Sequence, residues 1–159
     1  LTRAFLGLGS NLGDRLQNLR QAITALRDQG IEIKQTSSIY ETDPVGPPQP
    51  DFLNAAAEIE TSLPPLDLLA TLKQTETALG RQRAEPWGPR LIDLDLLLYG
   101  TESVNEPNLV IPHPELTKRA FALVPLLEID PDLELPSGEP LSAFLERNPK
   151  GIQKTLHRL

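Results

Sequence analysis

From Trp87 to Tyr99 the chain reads Trp-Gly-Pro-Arg-Leu-Ile-Asp-Leu-Asp-Leu-Leu-Leu-Tyr, and the alternation inside it fits an extended strand. Side chains two apart on a strand share a face, so the spacing predicts Ile92, Leu94, Leu96 and Leu98 on one side. Asp93 and Asp95 then stand together on the other. Two carboxylates side by side repel and lose hydration, and something positive must offset both costs. Divalent cations carrying a polyphosphate fit that need, because Mg²⁺ takes one or two carboxylates and completes its shell with water and phosphate oxygens. Arg90, three residues ahead of the first Asp, is placed to meet the same anion. A one-sided strand whose Asp residues simply face water is the plain alternative for a bare D-x-D. The Trp-Gly-Pro-Arg that precedes it favours a site.

The same kind of pattern recurs along the chain. Residues 3–9 read as a buried strand ending in the turn Gly9-Ser10-Asn11. A helix is expected from about Asp14, which with Gln17 resembles a capping box, and its inner stripe is Leu16, Leu19, Ile23 and Leu26. Gly30 suits the position just past its end. Residues 31–40 alternate weakly as one second strand. Asp43 to Pro50 holds four prolines and a glycine, which makes a stiff loop. The strand from Phe52 to Thr61 points Leu53, Ala55, Ala57 and Ile59 one way, and Phe52 and Asn54 the other. Pro64 and Pro65 open a second helix with the stripe Leu68, Leu69, Leu72 and Leu79, closed by Gly80. Glu76 falls within that stripe, at the rim of the core or reaching a site; the Arg-rich segment four residues on favours the site. After the D-L-D strand come an extended piece at Leu109 to Ile111, then Pro112-His113-Pro114. An apolar helical stretch from Leu116 to Ile129 follows, interrupted by Pro125. Leu141, Phe144 and Leu145 form a final amphipathic turn or two, and a basic tail occupies 150–158.

Strand, helix, strand, strand, helix, strand is the split β-α-β order of ferredoxin-like α+β folds. It predicts an antiparallel sheet with the helices packed on one face and the active site on the other. If each aliphatic face meets the helices, Asp93 and Asp95 share the open face with Phe52 and Asn54. One domain spanning 1–159 is expected from the length.

A net charge of −7 argues against a general nucleic-acid or membrane-surface binder, although residues 81–90 concentrate Arg81, Arg83 and Arg90 against Glu85 alone. With no Cys there is no disulfide, thiolate nucleophile or Cys-based zinc site, which fits a cytoplasmic protein. The Gly80–Arg90 segment can close over a triphosphate, its arginines neutralising oxygens while Trp87 covers a flat ring. His113 between two prolines has a restricted backbone and suits a phosphate donor, in combination with Arg119. Phe52 is a better ligand candidate than Phe121, because Asn54 shares its face and can both donate and accept at a heterocycle edge. There is no G-x-x-x-x-G-K-[ST] loop, no protein-kinase signature and no H-E-x-x-H. Triphosphate would have to be held by arginines and metals on an open sheet.

That combination resembles the 6-hydroxymethyl-7,8-dihydropterin pyrophosphokinase family of folate biosynthesis. The matching pieces are Gly9-Ser10-Asn11-Leu12-Gly13, Ser37-Ser38-x-Tyr40-x-Thr42, Pro50-Asp51-Phe52-Leu53-Asn54-Ala55-Ala56 and Gly80-Arg81-x-Arg83. Trp87-Gly88-Pro89-Arg90-x-Ile92-Asp93-Leu94-Asp95-Leu96 is the most specific, followed by Pro112-His113-Pro114 and Arg119-x-Phe121. The resemblance implies pyrophosphate transfer from ATP to the pterin hydroxymethyl group, releasing AMP. Asp93 and Asp95 would hold two Mg²⁺ ions and, with Arg81 and Arg90, form the catalytic set. The ATP-facing positions would be Arg81, Arg83, Trp87, Arg90, Leu96, His113, Arg119 and Glu76. The pterin would lie among Thr42, Val45, Phe52, Asn54, Phe121 and Trp87. In the family the first loop, which holds Thr42 and Val45, and the second, residues 81–90, rearrange to close the site. No residue reads as a general base for the pterin hydroxyl. Phe52 stands where some members carry Tyr, so stacking can remain while a hydroxyl contact is lost.

The expected partners are ATP and the pterin, with no nucleic acid and no membrane. A monomer is expected because no strand reads as a long exposed apolar edge, and fusion with a neighbouring folate enzyme stays open. Two other readings stand beside this one: another small-molecule kinase, and a ferredoxin-like nucleotide-binding regulatory module without turnover.

Overall fold

In the computed structural model, which describes residues 1–80 and 88–159, the chain builds an antiparallel α+β sheet of the ferredoxin-like kind. The strands are β1 (Thr2–Ser10), β2 (Glu32–Thr36), β3 (Ser38–Thr42), β4 (Phe52–Thr61), β5 (Asp93–Tyr99) and, after the short hairpin β6 (Val104–Glu106) and β7 (Leu109–Ile111), β8 (Ile152–Arg158). The main sheet runs β5-β1-β4-β3-β8, with β2 also paired to β4. Helices α1 (Arg15–Asp28) and α2 (Pro65–Ala78) cover one face. Asp14 caps α1 by accepting the Gln17 N–H at 3.1 Å, and Gly30, at φ +84°, closes its end. Leu19, Ile23, Leu26, Leu68 and Leu72 meet Ala4, Leu6, Leu8, Leu53, Ala57, Ile59, Ile92, Leu94 and Leu96 in one buried cluster. Each of these leucines gains roughly 1.5–3 kcal/mol from leaving water.

The opposite face is divided. A third helix, α3 (Ala120–Ile129), covers one end of it, and Phe5, Ala56, Leu97, Leu98, Leu123 and Leu126 form a second core there. The rest of that face stays open. This division corrects the alternation expected for β5. Phe5 pairs with Leu98 and Leu6 with Leu96, so Leu97 is an extra residue, a β-bulge. Beyond it the sides exchange: Leu98 joins Leu97 under α3, while Tyr99 turns to the α1/α2 side and donates to the Leu63 carbonyl at 2.7 Å.

Three further boundaries differ from expectation. The strand expected over 31–40 is two, broken at Ser37. There the Ala56 N–H donates to Ser37 Oγ and the Ser37 N–H to the Ala56 carbonyl, both at 2.9 Å. The helical stretch breaks at Arg119, which is extended (φ −127°, ψ 111°), whereas Pro125 lies within α3. That break lets Leu116, in a short 3₁₀ turn, and Leu123 reach the same apolar cluster. The basic tail is an edge strand, β8, paired with β3. Its charged side chains suit an edge that must not recruit further strands.

Polar contacts pin α3 to the sheet at its C-terminal end. The Glu128 carboxylate accepts from Ser38 N (2.8 Å), Ser38 Oγ (3.0 Å) and the Tyr40 hydroxyl. Asp130 and Glu58 share the Arg3 guanidinium at 2.9 and 3.0 Å. Burial pulls the Glu128 carboxyl upward, but the hydrogen bonds from Tyr40 and Ser38 outweigh it and hold the group below its ordinary value of 4.5. Burial first, then the bond to Glu128, pushes the Tyr40 phenol up. Because the Glu128 value is depressed on folding, its contribution to stability is complete above 4.5 and disappears as pH falls through the folded value. Glu128→Ala leaves the buried Ser38 N–H without its acceptor and is expected to destabilise by about 1–3 kcal/mol at pH 7. In urea titrations the midpoint should fall with an unchanged slope. The gap to wild type should close at pH values below 4.5.

Candidate active site

The open half of the sheet forms the floor of a cavity of about 410 Å³. β1 contributes Gly7 and Gly9, β4 contributes Phe52 and Asn54, and β5 contributes Asp93, Asp95 and Leu97. Register explains the convergence. Gly9 lies between Asn54 and Asp93, and Gly7 lies between Ala56 and Asp95. The walls are loops: Thr42, Asp43 and Val45 on one side, Gly88 and Arg90 on another, His113, Arg119 and Phe121 on a third. The two polar pairs expected on one face therefore share one cavity.

Arg90 is held before any ligand arrives. Its backbone N–H donates to Asn11 Oδ1 at 2.7 Å, and its carbonyl accepts from the Asn11 N–H at 2.9 Å. Its guanidinium donates to the carbonyls of Gly88 and Pro89 at 3.3 Å and lies 3.9 Å from Asp93 Oδ1. Asn11, 2% exposed, also donates through Nδ2 to Gln49 Oε1 and the Pro50 carbonyl, both at 2.9 Å. One buried amide thus joins the proline-rich loop to the segment that leads into β5. Arg119 is fixed differently, with its guanidinium carbon 5.4 Å from the Phe121 ring centre, a cation–π contact.

His113 hangs from β5 through its N–H to the Leu97 carbonyl at 3.0 Å. Its Nδ1 accepts from the Glu115 N–H at 3.2 Å, so the neutral ring carries its proton on Nε2 and offers a donor. Burial, then the nearby Arg119 charge, pushes its pKa below the usual histidine value of 6.5, and Glu115 and Asp93 oppose the shift only partly. A neutral donor at pH 7 is what this environment produces.

Among the described residues, three carboxylates (Asp43, Asp93, Asp95) and two guanidiniums (Arg90, Arg119) line the cavity. A triphosphate would bring more negative charge than these two arginines offset, and divalent cations would add to the balance. The donor set fits Mg²⁺. It consists of hard carboxylate oxygens, and among the described residues no cluster of three metal-ligating side chains occurs. Water and phosphate oxygens would complete the shell of an ion bound there, which is the usual way Mg²⁺ is bound at phosphate-transfer sites.

Two expected ATP-facing residues stand elsewhere. Leu96 is 3% exposed in the α1/α2 core, because it shares the face of Leu94 rather than that of Asp95. Glu76 is buried beneath β5, where its Oε2 accepts the Leu94 N–H at 2.7 Å and its Oε1 lies 3.6 Å from Lys73 Nζ. It fixes the strand that carries the carboxylates. Arg81, Arg83 and Trp87 lie outside the described residues. Of the expected pterin group, Thr42, Val45, Phe52, Asn54 and Phe121 line the cavity, and Trp87 is the member outside the described residues. Sequence reasoning passed over Gly7, Gly9 and Leu97 as floor residues. The signal was present, since Gly7-x-Gly9 has the same period of two as Asp93-x-Asp95 on the neighbouring strand.

Fold and site define the class first: an α+β protein whose open sheet face joins paired carboxylates, arginines and an aromatic-lined recess, the parts of a metal-dependent nucleotide transferase. Residues 5–131 match the family 7,8-dihydro-6-hydroxymethylpterin-pyrophosphokinase (HPPK). The 2-amino-4-hydroxy-6-hydroxymethyldihydropteridine pyrophosphokinase of Bacillus subtilis (strain 168) is 48% identical over 133 residues, 82% of this chain and 80% of its own length. That of Methylorubrum extorquens is 44% identical over 156 residues, 97% of this chain and 99% of its own. The chain belongs to the HPPK family, ATP-dependent enzymes of folate biosynthesis that move pyrophosphate from ATP to hydroxymethyldihydropterin. Among solved structures, an HPPK-DHPS in complex with substrates superposes with a TM-score of 0.72 at 14% identity over 90% of this chain. Plasmodium falciparum HPPK-DHPS with pteroate gives 0.72 at 15% over 90%. At that identity the likeness concerns the fold. The chain spans 42% and 43% of those two longer chains.

The His113 geometry carries its own test. Its ¹⁵N NMR titration should show the Nε2–H tautomer at pH 7 and a midpoint below 6.5. Because that value is depressed on folding, His113 should cost stability as pH falls from 6.5 towards the folded value, where the unfolded chain binds the proton first.

Proposed function

We propose that this chain transfers the pyrophosphate group by in-line attack of the pterin hydroxymethyl oxygen on the β-phosphorus of ATP, with the triphosphate over Asp93 and Asp95. The observation that supports this most directly is the single cavity in which the carboxylate pair and the Phe52, Asn54 and Phe121 recess adjoin. Two substrates bound there sit side by side, and holding them so supplies much of the rate enhancement.

The oxygen–β-phosphorus bond forms as the bridge between the α- and β-phosphorus breaks. AMP leaves with the bridging oxygen and the hydroxyl proton goes to solvent. Phosphoryl transfer through a loose transition state asks little of the nucleophile, so the proton can leave late and no dedicated base is needed. Asp93 and Asp95 would hold two Mg²⁺ ions, which would supply charge neutralisation on the phosphate oxygens. Arg90, already oriented by Asn11 and its own loop carbonyls, meets the same charge without reorganising. His113 Nε2–H and Arg119 extend that donor set along the cavity wall. Phe52 and Phe121 would bracket the heterocycle and Asn54 would meet its polar edge, with Thr42 beside it on the same wall donating to Asn54 Oδ1. Arg81, Arg83 and Trp87 would cover the triphosphate from the segment between α2 and β5.

³¹P NMR with Mg²⁺-ATP tests this reading. AMP and a pterin diphosphate ester should appear only when 6-hydroxymethyl-7,8-dihydropterin is present; ADP would instead indicate an ordinary kinase. Asp93→Asn and Asp95→Asn should each lower kcat at least about a hundredfold. Both should stay folded with Tm near wild type, because each removes one of two adjacent like charges while Asp93→Asn also weakens the contact with Arg90. A variant that lost activity only in proportion to lost folding would contradict a direct role. A pH–rate profile that required one essential base away from the carboxylate pair would overturn the late proton loss.

A further inference from the structure

Asn54 is held more tightly than a ligand-facing amide needs to be. Its Oδ1 accepts the Thr42 hydroxyl at 2.6 Å, and both residues are buried, 9% and 3% exposed. On the other side its Nδ2 faces the Leu8 carbonyl at 3.4 Å. That carbonyl can only accept, so exchanging the amide oxygen and nitrogen would set two acceptors against each other. Nδ2 also fills the space where a side chain at residue 9 would begin. A Cβ on Gly9, which pairs with Asn54 across β1 and β4, would lie 2.8 Å from Nδ2 and 3.5 Å from the Phe52 ring. The amide is therefore stretched across the sheet, with its oxygen fixed from β3 and its nitrogen over the bare backbone of β1.

We propose that Gly9 and the Thr42 hydroxyl act as a pair of positioning groups that lock Asn54 in one amide orientation, so that the cavity offers an N–H donor at that point of the heterocycle. This rests on the reading that the recess beside Asn54 takes the pterin. Thr42 acts here through Asn54, and Gly9 acts by having no side chain. The chemistry selected is a ring edge that presents an acceptor to the amide nitrogen. A ring with a donor there would leave two buried N–H groups opposed, a penalty that recognition by hydrogen bonding turns into specificity. An unlocked amide could turn over and accept either edge.

Thr42→Val keeps the shape and removes the donor, Thr42→Ser restores the donor, and Gly9→Ala places a methyl where Nδ2 sits. Asn54→Ala reports on the underlying reading. Binding of 6-hydroxymethylpterin is followed by its fluorescence. The corresponding 6-hydroxymethyllumazine, whose 2-oxo group and N1–H reverse the donor and acceptor order of that edge, serves as the competing probe. KM is measured separately for pterin and for ATP.

Thr42→Val and Gly9→Ala should each weaken pterin binding about tenfold and reduce the discrimination against lumazine, with KM for ATP close to wild type. Thr42→Ser should recover both affinity and discrimination. If Asn54→Ala weakens pterin while Thr42→Val and Gly9→Ala leave the discrimination intact, the lock is wrong and the pterin reading stands. If Asn54→Ala leaves pterin affinity unchanged, the pterin reading fails at this residue and the lock falls with it. Equal losses for both substrates and a lower Tm in Thr42→Val, without rescue by Ser, would assign the hydroxyl to structure alone.

Discussion

Asp93 and Asp95 share one face of β5, and much of the molecule can be understood as the means of holding two adjacent carboxylates side by side on an accessible cavity floor. A sheet face sealed by helices would take both carboxylates out of water and close them off from cations. A face wholly open to water would bury too little apolar surface to hold the sheet together. The protein divides the face between the two demands. α3 closes one end over Phe5, Ala56, Leu97 and Leu98, and the cavity occupies the remainder. The bulge at Leu97 makes this division within a single strand. Up to Leu96 the aliphatic residues of β5 face α1 and α2, and beyond it Leu98 contributes to the second core.

The parts of this arrangement that follow from periodicity were legible in the sequence. Alternation in β4 and β5 placed Phe52, Asn54, Asp93 and Asp95 on one surface, and the order of elements indicated the ferredoxin-like sheet. Features that depend on a contact distant in sequence were not. The bulge exists because Phe5 pairs with Leu98 rather than Leu97, and nothing local to residues 96–99 signals it. Leu96 belongs to the specific motif yet lies in the core, since motif membership does not distinguish the two faces of a strand. Residues 150–158 read as a basic tail because polar side chains dominate an edge strand, and the β3 partner that makes it a strand is more than a hundred residues away. Glu76 read as an acid near a site. Its partner is a backbone N–H of β5, which no side-chain pattern reveals.

Backbone groups and small residues do much of the positioning. Glu76 fixes the strand bearing the carboxylates, Asn11 fixes the Arg90 backbone, and the Leu97 carbonyl fixes His113. In each case a catalytic candidate is oriented through main-chain hydrogen bonds that substrate need not disturb. Gly7 and Gly9 keep the floor low, since a Cβ at either would meet Leu97 at 3.3 Å or Asn54 at 2.8 Å. Transfer of a highly charged group gains most when the dipoles and cations that receive its charge are already in place, because reorganising them at the moment of reaction would add to the barrier.

The same argument separates two kinds of residue around the cavity. Arg90, with its side chain 13% exposed and its backbone tied to Asn11, belongs with the fixed groups. Val45, 48% exposed in the proline-rich loop, does not. Prolines limit how many conformations that loop can visit, and Asn11 holds its far end through Gln49 and the Pro50 carbonyl. Ordering Val45 against a flat heterocycle therefore costs less than closing an unrestrained loop of equal length. The same buried amide also fixes Arg90, so one side chain ties the proline-rich loop to the arginine proposed to meet the triphosphate. A cavity that must bring two substrates into line has reason to hang both walls on a single joint.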